Sequence, residues 1–194
     1  MPDTQMRREI LEIPTATARL IENGSGDIKA AAAALRVTDP QFLVSVARGS
    51  SDHVTTYLKY ASELLMGRAI ASIGPSIASI YNRPLSLSGS ACLSVSQSGK
   101  SPDIVAMARS AQSAGALSIV MTNNPQSPLS AVSDHTLNLH AGSEISVAAT
   151  KTFVNSAVAG IWLLAEWAGD DDLRRAVYAL PDVLDKAVHT DWSP

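Results

Sequence analysis

Three serine hydroxyls lie within the six residues from Ser96 to Ser101, in a segment that could bind an anion. The segment reads as the end of an apolar strand, a turn, and the start of a helix. Ser101 followed by Pro102 is typical of a helix N-cap with proline at the first helical position. Gly99 would let the backbone approach a ligand closely. Because free N–H groups and the positive end of the helix dipole would point into the turn, the pattern predicts an anion site, best suited to phosphate.

Short apolar strands that alternate with helices indicate the elements that position this turn. Strands are predicted at 41–47, 69–73, 91–95, 116–122 and 135–139. Helices are predicted at 6–22, 28–35, 52–66, 102–114, 150–167 and 170–188, with brief helical turns at 75–81 and 129–133. Asn23-Gly24 is expected to end the first helix, in which Pro14 is a candidate break. The alternation predicts a three-layer α/β fold with a doubly wound, five-stranded parallel sheet of flavodoxin type.

The carboxyl ends of the predicted strands single out three polar segments. In doubly wound sheets, ligands bind at those ends, where the strand order reverses. The segments are Arg48–Asp52 after the first strand, Ser96–Ser101 after the third, and Ala141–Lys151 after the fifth. Every α/β protein has polar loops at these ends, so the agreement favours a site there without naming its ligand.

The composition narrows the class of protein. The 194 residues suit one domain, or one domain with added helices, and carry a net charge of −3 with 46% hydrophobic and 17% charged residues. This balance is typical of globular proteins and argues against nucleic-acid binding through phosphate contacts. The single cysteine, Cys92, excludes an internal disulfide and fits a reducing cytoplasm. Charged side chains interrupt the first 21 residues, and apolar stretches are too short for a membrane span, so we expect a soluble cytoplasmic protein with no membrane partner.

Three ordered motifs resemble those of the sugar isomerase (SIS) domain family. They are Ala47–Ser51 (ARGSS), Ser96–Gly99 (SQSG) and Ala141–Phe153 (AGSEISVAATKTF). The nearest resemblance is to the first of two SIS domains in the isomerase part of glutamine–fructose-6-phosphate aminotransferases and their shorter relatives. Met6–Pro14 (MxxEIxExP) also resembles the helix that leads into that part. The set covers nearly the whole chain and is far more specific than any single motif.

The resemblance implies a site for a phosphorylated, ring-opened keto or amino sugar. The residues implied to hold the phosphate are Ser96, Gln97, Ser98 and Ser101. Those implied to face the sugar are Gly49, Ser50, Ser51 and a backbone group of Val147. Ser50 replaces a threonine common in the aminotransferases, and Ala149 stands where they often carry serine.

Position 100 bears on the branch of the family. Lys100 replaces a glutamate that is usual in the aminotransferases, and Gly99–Asp103 is more similar to the stand-alone glucosamine-6-phosphate deaminases. In the family, a glutamate and a lysine of a second SIS domain move the proton between C1 and C2, and a histidine of the neighbouring subunit opens the ring. We therefore expect N-terminal helices (1–36), a SIS domain (37–168) and a helix or linker (169–194) leading toward a second SIS domain that this chain does not contain.

Other reactive side chains have simpler interpretations. Glu144 is a weak candidate for a catalytic base. The alternative, that its carboxylate organises the loop around it, is the more common role for such a residue. Arg48 suits a ligand contact and a structural salt bridge equally well. No histidine or cysteine pair has metal-ligand spacing, so the sequence predicts no metal and no cofactor. The helices at 52–66 and 150–167 are apolar over more than one face, which predicts a homodimer.

Three functions stay open on the sequence. The first is that the chain is the first half of an amino-sugar-phosphate deaminase or isomerase, which converts glucosamine 6-phosphate to fructose 6-phosphate and ammonia. The second is a non-catalytic module that binds a sugar phosphate. The third is a fragment of the isomerase part of an aminotransferase. A regulator would be expected to carry a basic helix-turn-helix segment, which the sequence does not show. An aminotransferase requires a glutaminase, and Lys100 argues against that branch.

Overall fold

The computed structural model describes residues 4–191, and a five-stranded parallel sheet lies at its centre. Its strands are β1 Leu43–Val46, β2 Ile70–Ser72, β3 Ala91–Val95, β4 Leu117–Thr122 and β5 His135–Asn138. They lie in the order β2-β1-β3-β4-β5, and every neighbouring pair is parallel. The predicted flavodoxin-like sheet is confirmed. Its order reverses between β1 and β3, so the carboxyl ends of these two strands form the switch point at which ligands bind in such sheets.

Helices cover both faces of this sheet. Their bounds are α1 Gln5–Leu11, α2 Ile13–Thr38, α3 Ser50–Met66, α4 Ser76–Ser79, α5 Pro102–Ser113, α6 Lys151–Ala168, α7 Asp171–Tyr178 and α8 Leu180–His189, with a 3-10 turn at Ser130–Val132. Helices α2, α3 and α6 pack on one face and share a core with alternate strand residues such as Leu93 and Ile119. Helices α4 and α5 cover the other face, where Cys92 and Val120 point. Neighbouring side chains on a strand thus enter opposite core layers, which explains why β1 and β3 are buried throughout.

The first two helices differ from the prediction. The break falls at Glu12, and Pro14 lies in the first turn of α2, where a proline needs no N–H partner. Helix α2 then runs through Asn23-Gly24, where a stop was predicted. Gly24 is buried, and a Cβ atom there would lie 3.1 Å from Leu20 Cδ1 and 3.7 Å from Trp162 Cζ3. The glycine therefore allows α6 to approach α2 closely and does not end the helix.

The predicted last helix is two helices. Helix α7 ends before Ala179, and α8 begins with Pro181 in its first turn. Proline lacks the N–H that would continue the preceding turn, so the helix stops and restarts at this point. Helix α8 then packs back on α2.

Helix α6 is apolar over more than one face because it is buried within the chain. It lies between α2, α3 and the sheet, and Trp162 on it is fully buried, with its ring edge-to-face against Tyr178 at 5.6 Å. The apolar faces of α6 thus have partners within the chain and do not require a second copy, so the homodimer stays a prediction. No helix within residues 4–191 combines the length and the apolar character needed to cross a membrane.

A buried amide fixes the exit of β5 against the helices. Asn155 on α6 donates to the carbonyl oxygens of Ala16 at 3.0 Å and of Leu139 at 2.8 Å, and accepts from the Thr17 hydroxyl at 2.9 Å. Since Asn155 and Thr17 are fully buried, these hydrogen bonds are costly to lose. They hold α2, α6 and the end of β5 together where the 141–150 loop begins.

Candidate functional site

The serine turn, residues 96–101, connects β3 to α5. Two of its hydroxyls brace the turn: Ser96 Oγ accepts from the Gly99 N–H at 3.2 Å, and Ser98 Oγ accepts from the Lys100 N–H at 3.3 Å. Ser101 is the N-cap residue of α5, as predicted, but its hydroxyl makes no capping hydrogen bond. The positive end of α5 therefore faces the turn without a side-chain cap from Ser101, which favours an anion there.

Gly99 holds the turn in a backbone conformation that other residues resist. Its φ is +62°, and a Cβ atom would lie 2.1 Å from Ser127 Oγ and 2.5 Å from Ser127 Cβ. From the sequence, Gly99 was expected to lack a side chain so that a ligand could approach the backbone, and that expectation is wrong. Gly99 is buried, and Ser127 occupies the space.

Two clefts that share Gln97 lie at the carboxyl ends of the strands. The first, of about 190 Å³, is lined by residues of the serine turn together with Arg48 and Ser51. The second, of about 290 Å³, is lined by Ser50, Gln97, Glu144, Ser146, Val147 and Ala149. The structure thus brings the residues assigned to the phosphate to the first cleft. Of the residues assigned to the sugar, Ser50 and Val147 line the second cleft, Ser51 lines the first, and Gly49 lines neither.

Gly49 contributes backbone geometry to this site. It precedes α3 with a φ of +60°, and no side chain caps that helix. Ser50 and Ser51 are the first residues of α3, so a second uncapped helix N-terminus faces the same region as that of α5. A larger cleft, of about 870 Å³, lies between α4 and α5 and meets the first cleft at Arg48. We place the site in the two smaller clefts, since the serine hydroxyls and the two helix N-termini converge there.

Glu144 closes the N-terminus of the third helix at this edge, α6. Its Oε1 accepts the N–H groups of Thr150 at 3.0 Å and Thr152 at 3.2 Å, and the Thr150 hydroxyl at 3.0 Å. Its Oε2 accepts the Thr152 hydroxyl. A carboxylate engaged by four hydrogen bonds is poorly placed to remove a proton from a sugar. The geometry therefore favours the loop-organising role over the catalytic one.

Arg48 forms a salt bridge with Asp103, the second residue of α5. The Arg48 side chain is 69% exposed, so the pair lies at the rim of the clefts. The Asp103 carboxylate also accepts the Ile104 N–H at 3.0 Å. Of the two roles open to Arg48 on the sequence, the structure shows the salt bridge. Within residues 4–191, no three His, Cys, Asp or Glu side chains group as metal ligands would.

Sequence reasoning gave no role to two carboxylates of the N-terminal region. Glu9 on α1 is buried, and it accepts the N–H groups of Ile145 at 2.7 Å and Ser146 at 3.2 Å. Hydrogen bonds to its carboxylate, first from the Gln5 side chain and also from these loop residues, lower the pKa of Glu9 to about 2. Glu12 pairs with Lys151, whose side chain is 3% exposed. The available signal was the MxxEIxExP motif, since residues three apart share a helix face.

Similarity to known proteins identifies the family of this chain. A model of the SIS domain matches residues 38–166. The chain belongs to the SIS domain family. The matched residues include both clefts, whereas α1 lies outside them.

Proteins similar to this SIS chain include enzymes that are named for sugar phosphates. Glutamine–fructose-6-phosphate aminotransferase (isomerizing) from Sulfurisphaera tokodaii is 30% identical over 161 residues, covering 82% of this chain and 27% of that protein. A provisionally assigned phosphosugar isomerase from Silicibacter pomeroyi DSS-3 is 59% identical, with a TM-score of 0.95 over 97% of this chain and 58% of its own. Glucosamine-6-phosphate deaminase from Thermotoga maritima, at 17% identity and a TM-score of 0.70 over 92% of this chain and 54% of its own, shows the shared fold. The chain spans about a quarter of the length of the curated aminotransferases that it matches.

Gly99→Ala should destabilise the fold more than Gly89→Ala, which is the matched control. Both glycines have a positive φ, but a Cβ at Gly89 meets nothing within 4 Å, whereas one at Gly99 collides with Ser127. We expect about 1–2 kcal/mol from backbone strain at either position and a further ~1–3 kcal/mol from overpacking at Gly99. Urea unfolding measures both free energies, and equal losses would contradict the collision with Ser127.

Glu9→Gln should lower the melting temperature at neutral pH, because the carboxylate is held by hydrogen bonds. The folded pKa of Glu9 is about 2, below its ordinary 4.5, so its contribution to stability is full above pH 4.5 and is lost as the pH falls toward 2. Melting curves of wild type and variant should therefore converge over that range. The exposed Glu63→Gln variant serves as control, and a Glu9→Gln deficit that stays constant down to pH 2 would argue against this role.

Proposed function

We propose that this chain binds a phosphorylated, ring-opened amino or keto sugar, as the first half of an amino-sugar-phosphate deaminase or isomerase. The observation that carries the proposal is the N-terminus of α5, where the Ser101 hydroxyl makes no cap and the serine turn lines a cleft. A phosphate there would gain charge-assisted hydrogen bonds and a favourable interaction with the helix dipole. The residues proposed to contact it are Ser96, Gln97, Ser98 and Ser101.

The sugar is proposed to extend past Gln97 into the second cleft. Ser50 and Ser51 begin α3 beside it, and Val147 also lines it. The Val147 side chain is fully exposed, so its backbone is the part suited to a hydroxyl contact. This arrangement supports a ligand with a phosphate at one end and several hydroxyl groups along its length.

The proposed reaction converts glucosamine 6-phosphate and water to fructose 6-phosphate and ammonia. The ring opens, a proton moves from C2 to C1 and another from the amine to O1, and water hydrolyses the resulting imine at C2 with release of ammonia. Glu144, a carboxylate that lines the second cleft, is already engaged by hydrogen bonds from Thr150 and Thr152. We therefore assign substrate binding to this chain and the proton transfers to residues outside it.

A second candidate is the isomerase part of a glutamine–fructose-6-phosphate aminotransferase. The 30% identity with the Sulfurisphaera tokodaii aminotransferase favours it. Lys100 in the serine turn is the residue that favours the deaminase. Both candidates, as well as a non-catalytic binding module, predict the same class of ligand for the two clefts.

Ser98→Ala and Ser101→Ala should each weaken binding of fructose 6-phosphate by about 1.5–3 kcal/mol, since each removes a hydrogen bond to a charged group. Any weak binding of fructose itself should change little. Calorimetry measures both ligands, with Ser86→Ala as control, because Ser86 is exposed and precedes β3 at the opposite end of the sheet. Equal losses for the two ligands would remove the phosphate assignment.

The same proteins separate the candidate functions when they are mixed with glucosamine 6-phosphate. We expect binding without release of ammonia from this chain alone. Release of ammonia and fructose 6-phosphate would instead place the acid and base residues within it. Failure to bind either sugar phosphate would reject the proposed function.

We propose further that the protein is a cytoplasmic homodimer joined through α3. Tyr57, Tyr60 and Leu64 share one face of that helix, and Leu64 is 84% exposed. Light scattering should give twice the chain mass, and Tyr60→Glu with Leu64→Glu should give the monomer. A wild-type monomer at high protein concentration would contradict the dimer.

A further inference from the structure

The tip of the 144–150 loop, here called the ligand loop, is held from outside the SIS segment. Glu144 ties the two ends of the loop together through Thr150, but the tip between them has no regular secondary structure. Ile145 is 73% exposed and Val147 fully exposed, so apolar packing of these two side chains does not hold the tip. The N–H groups of Ile145 and Ser146 instead donate to Glu9 on α1.

We propose that Glu9 and Glu12 are positioning residues for the sugar, acting through the ligand loop. This inference rests on the proposed function of the second cleft. Glu9 fixes the backbone immediately before Val147, and Glu12 fixes Lys151, the first residue of α6. The two carboxylates thus hold the chain on both sides of Val147 and Ala149, which line the cleft.

The burial and charge of these groups make both contacts strong. Glu9 is fully buried, and its hydrogen bonds are charge-assisted. The Lys151 ammonium is also nearly buried, and a buried charge without its partner is strongly unfavourable. Glu12 supplies that partner while remaining half exposed. A shift of α1 would therefore move the loop with it.

The serine turn does not share this support. Its hydrogen bonds run to β4 and to the segment after it, as in Ser96 N–H to Met121 O and Leu129 N–H to Gly99 O, both at 3.1 Å. Loss of the Glu9 contacts should therefore alter the sugar cleft and leave the phosphate cleft intact. The two clefts thus give separate readouts, which distinguish positioning of the loop from general support of the fold.

The test compares wild type, Glu9→Ala and Glu9→Gln, with fructose 6-phosphate and inorganic phosphate as probes. Calorimetry and phosphorus NMR titration give the two Kd values. We expect Glu9→Ala to raise the Kd for fructose 6-phosphate at least tenfold and to change the Kd for inorganic phosphate less than twofold. Glu9→Gln keeps one acceptor oxygen and should give an intermediate loss. Glu63→Gln, an exposed position about 20 Å along α3 from Ser50, should bind both probes as wild type does.

Each outcome decides something different. If wild type binds neither probe, the proposed function fails before the inference is reached. If wild type binds fructose 6-phosphate and the Glu9 variants bind it equally well, the inference is overturned. Equal losses for both probes would also overturn it, since Glu9 would then support the whole fold. Circular dichroism checks that each variant is folded. If Glu9→Ala does not fold, the comparison is made with Glu9→Gln instead.

Discussion

The structure depends on how the backbone N–H groups at the starts of three helices are satisfied. Helices α3, α5 and α6 all begin at the carboxyl edge of the sheet, where their positive ends converge. At α6, the Glu144 carboxylate supplies the missing acceptors. The N-cap residues of α3 and α5, Gly49 and Ser101, make no such hydrogen bond, although Asp103 accepts one N–H of α5. The same edge therefore contains one helix end that is neutralised internally and two that favour a negatively charged ligand.

Local patterns in the sequence were sufficient to predict the sheet and much of the site. The buried runs at β1 and β3, the serines beside them and the helix start at Pro102 are encoded in neighbouring residues. The strand-end rule then placed the three polar segments at one edge. The rest depended on partners distant in the chain. Asn23-Gly24 looks like a helix stop until Trp162 of α6 is packed against it, and Gly99 looks like a ligand contact until Ser127 is placed behind it.

Glu9 shows the same limitation for function. The hydrogen bond that joins it to Ile145 spans 136 residues, and no local pattern in α1 indicates what its carboxylate would contact. The family resemblance identified the motif but assigned it no role. Burial and the loop N–H groups, which only the folded chain brings together, give the residue its role. A family model that begins at residue 38 therefore omits two carboxylates that hold the 144–150 loop and the start of α6.

The idle hydroxyl of Ser101 has a consequence for the stability of the fold. A serine at this position ordinarily stabilises its helix by about 1 kcal/mol through the capping hydrogen bond, which this structure forgoes. The N-terminus of α5 is then less stable than one capped by a serine hydroxyl. A ligand at a hundred times its Kd would add about 2.7 kcal/mol to the free energy of unfolding. Under the proposed function, the stability of the folded chain would therefore rise with the concentration of its sugar phosphate.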